Sequence, residues 1–366
     1  MQIELPISKS IANRLLILQA IHGDGLLAVS ADMPDDVQLL HKALTTLLHS
    51  TQLYSTLNLS NCGTAMRFLT AYCAQLDGQT TILDGVERMH HRPIGQLVDA
   101  LREIGADVEY LGEEGFPPLR IKGCTLDKRR IVTINNPQST QFVSALLLIG
   151  ANVQTDSTSP YITLARELIQ HYTTLHHSTQ RYTIEKDWSS AAFWYEYVAL
   201  HGGEIKLPGL HKESLQGDKV VADIFVHLGV HTEYTAEGIT LSPTGVADLQ
   251  RSDLQGIDTQ STAQRSAEEI LCQDFSACPD LYPAVALTCE RLGITLDATG
   301  TESLSIKESD RLRAVREHLT DHDHRMAMAL LVAGYPVDDT DCIAKSYPRF
   351  LEQWQAIQTS SPENLR

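Results

Sequence analysis

The 366-residue chain contains no apolar run of the roughly 18 residues needed to span a bilayer. Its first residues, Met1 to Pro6, lack the basic and apolar regions of a secretory signal. Neither a Walker loop nor the glycine-rich dinucleotide fingerprint occurs, so any phosphate must be held by another arrangement. Seven cysteines are scattered without a C-x-x-C pair, and the closest two, Cys272 and Cys278, match no common zinc spacing. Reduced thiols in a cytoplasmic protein are the expectation. A formal net charge of −17 argues against nucleic acid or an anionic membrane as partner. It leaves room for a small anionic substrate, provided that the cations gather locally.

What is present suggests two domains, since 366 residues exceed one ordinary core. A short unit recurs, in which a helical stretch ends in an apolar residue, then Gly, then alternating strand residues. Leu101 to Tyr110 around Gly105 shows it, as do Phe225 to Tyr234 around Gly229 and Arg291 to Leu296 around Gly293. Glycine suits the left-handed position that ends a helix before the chain turns into a strand. Looser copies lie at Gly23, Gly78 and Gly202, and the irregular spacing excludes a regular solenoid.

Helix starts carry more information than helix ends. Ser8-Lys9-Ser10 opens one helix and Asn61-Cys62-Gly63-Thr64 another. Ser139-Thr140-Gln141, Asp187-Trp188-Ser189 and Asp323-His324-Arg325 open three more. Hydroxyl and carboxyl residues are ordinary N-caps. Cations are not, because the dipole disfavours them there. Lys9, Arg14, Arg67 and Arg325 all fall near such starts, which fits a bound anion meeting free N–H groups and cations together. Lys307 and Arg311 stand four apart and would share one face if helical. The close pairs His90-His91 and His322-x-His324 lack the third ligand that a metal site needs.

In order along the chain, Leu5 to Arg14, Asn61 to Arg67, Arg92 to Gly95, Ser139 to Phe142, Pro160-Tyr161, Pro279-Asp280, Lys307 to Arg311, Asp323 to Met328 and Lys345 to Pro348 resemble the 5-enolpyruvylshikimate-3-phosphate (EPSP) synthase family. The resemblance implies a mixed α/β fold of two domains, each of three β-α-β-α-β-β units, with the active site in the cleft between them. It places one lobe at residues 9–185 and the other at 1–8 plus 186–366. The cleft is expected to close on the first substrate.

It also implies a reaction: the enolpyruvyl group of phosphoenolpyruvate passes to the 5-hydroxyl of shikimate 3-phosphate, and phosphate leaves. No metal or cofactor is implied. Asp280 would take the hydroxyl proton, Glu308 would move protons at C3, Lys9 would touch both substrates, and His324 would lie near the leaving phosphate. Shikimate 3-phosphate would meet Lys9, Ser10, Arg14, Ser139, Thr140, Gln141, Thr158, Asp280 and Lys307. Phosphoenolpyruvate would meet Lys9, Gly63, Arg92, Gln141, Arg311, Arg325 and Lys345. The phosphonate glyphosate would compete for this second site. The partners are thus small molecules, and a monomer is expected.

Departures from the family pattern are Phe68 for Pro, Cys62 for Ala, Thr140 for Ser, Thr158-Ser159 for Ser and a base, and Ser305 for Arg. The absence of Pro at 68 would shift the first turn of its helix. Only 12 residues separate Arg311 from His324, fewer than the family pattern has. The alternatives are an enolpyruvyl transferase acting on UDP-N-acetylglucosamine, and a non-catalytic anion-binding protein of the same fold. The Ser8-Lys9-Ser10 and Asn13-Arg14 pattern favours shikimate over the first, and the presence of Lys9, Asp280 and Glu308 argues against the second.

Overall fold

A computed structural model describes residues 1–50, 52–175, 183–244 and 269–360. The helices α1 (Lys9–His22) and α2 (Asp35–His49) come first. A complete unit follows: β1 (Tyr54–Asn58), α3 (Gly63–Ala74), β2 (Thr80–Asp84), α4 (Gly95–Glu103), β3 (Asp107–Tyr110) and β4 (Leu119–Lys122). Its sheet has the order β1-β2-β4-β3, with β1 and β2 parallel and the other pairs antiparallel. A shortened unit comes next, with β5 (Ile131–Thr133), α5 (Thr140–Leu148), β6 (Asn152–Gln154) and α6 (Pro160–Leu175), where β5 and β6 pair in parallel.

The second half opens with α7 (Trp188–His201), β7 (Ile205–Pro208), α8 (Val221–Val226), β8 (Val230–Tyr234) and β9 (Gly238–Pro243). Gln2 bridges Lys206 in parallel, so the chain's first residues take the place of this unit's first strand. Then come β10 (Ile270–Asp274), α9 (Tyr282–Leu292) and β11 (Thr295–Thr299), the two strands parallel. Helices α10 (Arg311–Glu317), α11 (His324–Ala333) and α12 (Phe350–Ser360) finish the chain. The repeated β-α-β-α-β-β unit is therefore complete twice and abbreviated elsewhere among the described residues. The short passage from α10 to α11 is a reversal through His318, Asp321 and His322, all in the left-handed region.

The recurring glycines behave as their sequence implies. Gly105 (φ 99°) and Gly293 (φ 70°) turn α4 into β3 and α9 into β11, a conformation that costs other residues more. Apolar side chains form two large clusters. One holds α1, α3 and α5; the other holds α7, α9 and α11 together with Ile3 and Leu5. These helices are buried on nearly every face: in α7, Trp188 through Glu196 are all buried. Their starts open on one cleft between the clusters. No helix among the described residues is long and apolar enough to cross a membrane.

Candidate active site

The cleft encloses about 770 Å³ and is lined by the starts of α1, α3, α5, α7 and α11 and by the turn before α9. At α3, the Sγ of Cys62 accepts the amide of Ala65 at 3.4 Å, so the thiol does the capping work of a hydroxyl. A Cβ on Gly63 would lie 2.5 Å from a guanidinium nitrogen of Arg67 and 2.6 Å from the guanidinium carbon of Arg92. Only glycine lets two arginines approach this backbone. Arg67 donates to Gln141 Oε1 at 3.0 Å, and Gln141 donates to Thr64 at 2.8 Å. Arg92 donates to the Asn61 carbonyl at 3.2 Å. Burial and the neighbouring Arg92 push the Arg67 pKa well down. Among the described residues neither arginine has a carboxylate partner. Two buried cations so placed are costly unless an anion joins them.

Across the cleft the cations are paired. Asp280 accepts from Arg311 at 2.8 Å and Arg325 at 2.6 Å, with Lys307 at 3.7 Å. Burial alone would raise the Asp280 pKa, but Arg325, Lys307 and Arg311 outweigh it and hold the carboxyl well below its usual range. Arg311 also bonds Asp323 at 2.8 Å, and Asp323 caps α11 through the Arg325 amide. Lys307 is not helical. It stands in extended backbone (φ −73°, ψ −157°) before α10, and the expected shared helix face does not form. It and Arg311 meet through Asp280 instead.

Glu308 accepts from His324 at 2.8 Å and pairs with Lys345 at 3.0 Å. Burial opposes its ionisation, yet Lys345 and His324 keep its pKa well below normal. Lys345 also donates to the Asn61 carbonyl at 2.9 Å, which brings it beside α3. Lys9 pairs with the buried Asp36 at 2.9 Å. Glu308, Asp323 and His324 lie close enough to suggest metal ligands. Their acceptor atoms, however, already take hydrogen bonds from His324, Arg311 and Arg325.

The other end of the cleft is rich in hydroxyls. Ser10, Ser139, Thr140 and Thr158 line it, and Ser139 caps α5. Arg14 is buried and donates to the Ser10 carbonyl (2.9 Å) and the Ser144 hydroxyl (3.0 Å). Burial lowers its pKa to about 10. The Phe68 ring lies 5.4 Å from the Arg14 guanidinium. Asn13, fully buried on the cleft wall, has neither amide atom bonded among the described residues.

Every residue named from the sequence thus borders the cleft or, for Lys345, reaches it beside Asn61 and Glu308. Four other cleft residues, Asp36, Asn13, Arg67 and Tyr161, stand outside the set of site residues expected from the sequence. Arg67 was detectable, as a cation in the first turn of α3. Asp36 was not, because nothing local shows that it faces Lys9.

Fold and cleft together define a two-lobed α/β protein built to hold small anions where helix starts converge. Two solved structures of EPSP synthase from Acinetobacter baumannii share this fold. They have TM-scores of 0.64 and 0.65, 18% identity, and coverage of 97% of this chain and 95% of theirs. The sequence profile of EPSP synthase (3-phosphoshikimate 1-carboxyvinyltransferase) matches residues 1–174, 150–321 and 319–354. A 3-phosphoshikimate 1-carboxyvinyltransferase of Bacteroides fragilis is 36% identical over 409 aligned positions, covering 95% of this chain and 93% of the relative. One from Idiomarina loihiensis is 29% identical, covering 97% and 96%. The chain belongs to the EPSP synthase family.

Proposed function

We propose that this chain transfers the enolpyruvyl group of phosphoenolpyruvate to the 5-hydroxyl of shikimate 3-phosphate and releases phosphate. The observation that carries this reading is the placement of two ionised carboxylates, Asp280 and Glu308, beside a cluster of cations. Asp280 stands among Lys307, Arg311 and Arg325, and Glu308 stands beside Lys345. Phosphoenolpyruvate sits against Lys9, Gly63, Arg92, Gln141, Arg311, Arg325 and Lys345, with Arg67 beside Arg92 at Gly63. Shikimate 3-phosphate sits among Lys9, Ser10, Arg14, Ser139, Thr140, Gln141, Thr158 and Lys307.

In the first step the 5-hydroxyl oxygen bonds C2 and its proton passes to Asp280, while Glu308 relays to C3 a proton taken from Lys345 or Lys9 and the C2–C3 double bond becomes single. In the second step Glu308 takes a C3 proton and returns it to the same lysine, the double bond re-forms, the C2–O bond to phosphate breaks, and the phosphate leaves with the proton held on Asp280. Both carboxylates rest ionised, so each must gain basicity when substrate binds. An anion against Arg311, Arg325 and Lys345 supplies this, since it opposes the charges that depress their pKa values. Lys345 and Lys9 flank Glu308 and can return its proton.

The two apolar clusters support lobes at 9–185 and at 1–8 plus 186–366, because Ile3 and Leu5 pack with the second cluster. All seven cysteines are free, which supports a cytoplasmic location. A monomer of 40.5 kDa is expected and light scattering would check it. The functional test is phosphate release from phosphoenolpyruvate with shikimate 3-phosphate, with UDP-N-acetylglucosamine, and with neither. Release with UDP-N-acetylglucosamine alone would overturn the reading.

A further inference from the structure

Arg88 lies in the short turn Glu87–His91, is exposed, and is not part of the cleft wall. Its side chain nevertheless reaches more than two hundred residues along the sequence. Nε donates to the Glu308 carbonyl at 3.2 Å, and Nη2 donates to the Lys307 carbonyl at 3.1 Å. Among the described residues no backbone amide bonds either carbonyl. The segment from Lys307 to Ser309 belongs to neither helix nor strand. Its two consecutive carbonyls therefore depend on one guanidinium from the other apolar cluster's half of the chain.

This peptide sets the aim of two site side chains. Lys307 points to Asp280, and its neighbour Glu308 points to His324 and Lys345. A rotation of the 307–308 peptide would move both at once. Behind it lies a second cavity of about 1090 Å³, bordered by Arg88, Glu308 and Lys345, so packing from that side does not hold the segment. The turn that carries Arg88 is itself anchored, with Met89 buried, and four residues on it sends Arg92 to Gly63.

We propose that Arg88 is a positioning residue: it fastens the Lys307–Glu308 peptide across the cleft, so that both side chains are seated only when the two halves are together. One short turn then links the Arg92 anion site to the seating of Glu308. The inference rests on the proposed function for its kinetic reading but not for its structural one.

The test uses the full chain with Arg88→Ala and Arg88→Lys. Hydrogen–deuterium exchange of the peptide spanning residues 307–311 should rise about tenfold in Arg88→Ala, the scale of losing a local opening barrier of one such contact. Exchange in α3 and α7 and the thermal midpoint should stay at parent values. In the phosphate-release assay kcat should fall about tenfold or more, with Arg88→Lys intermediate because an ammonium replaces the fork by a point donor. Unchanged exchange at 307–311 would overturn the proposal whatever the activity. Raised exchange with parent kcat would also overturn it, because seating would then not matter to turnover. If the parent itself released no phosphate, the functional reading would fail, while exchange would still decide whether Arg88 holds the peptide.

Discussion

The Nδ1 of His324 lies 2.8 Å from Glu308 Oε2, and its Nε2 lies 3.0 Å from Nη1 of Arg325. A carboxylate can only accept and a guanidinium can only donate, so the ring carries its proton on Nδ1 and is neutral. Burial, which lowers the His324 pKa despite Glu308, agrees. Both ring nitrogens are committed, and Arg325 continues to Asp280 at 2.6 Å. The imidazole thus orients Glu308 and links the surroundings of the two carboxylates. His324→Asn, whose amide can still donate near the Nδ1 position, should retain more kcat than His324→Ala. Equal losses in the two variants would show that the Glu308 contact is idle.

Asp280→Ala and Glu308→Ala should each lower turnover by about 10²–10⁴, the usual worth of positioned proton transfer. Shikimate 3-phosphate binding should stay measurable by titration calorimetry. Near-parent turnover in either variant would remove that carboxylate from the mechanism.

Gly63→Ala should raise the inhibition constant of glyphosate more than the Michaelis constant for phosphoenolpyruvate. The added methyl group meets the tips of Arg67 and Arg92, not open space. It must push both guanidinium groups outward and shorten the pocket. The longer ligand then loses more room than the shorter one. Proportional rises in the two constants would mean that Gly63 acts only by placing the arginines.

Glu196 in α7 is fully buried, and both its carboxylate oxygens lack a partner among the described residues. Burial raises its pKa well above the ordinary glutamate value. The native carboxyl then keeps a proton that the unfolded chain gives up as pH rises past the ordinary glutamate range. Stability from this group is full in acid and declines as pH climbs toward the raised native value. Glu196→Leu should be more stable than the parent at pH 8, by about 1–3 kcal/mol, the cost of a buried unpaired polar group. The gap should shrink at pH 5. Calorimetric unfolding at both pH values checks this, and a less stable variant at pH 8 would show that the carboxyl has a partner.

Local features can be read directly from the order of residues. Helix starts at Gly63, Thr140, Trp188 and His324 are legible because capping residues act within one turn. The glycines at 105, 229 and 293 were legible because a left-handed φ follows from the residue type. The ordered motifs then pointed to the cleft residues. Pairings between distant segments were not legible. Lys307 and Arg311 looked like neighbours on a helix and instead meet at Asp280. Lys9 finds Asp36, Arg67 finds Gln141, and Arg88 finds the carbonyls of Lys307 and Glu308. Charge–charge and hydrogen-bond partners are fixed by separations of a few ångströms, and over tens to hundreds of residues those separations are set by how the helices and the two cores pack. Tertiary structure alone decided which cations are neutralised by aspartates and which, Arg67 and Arg92, are left facing the cleft for an anion.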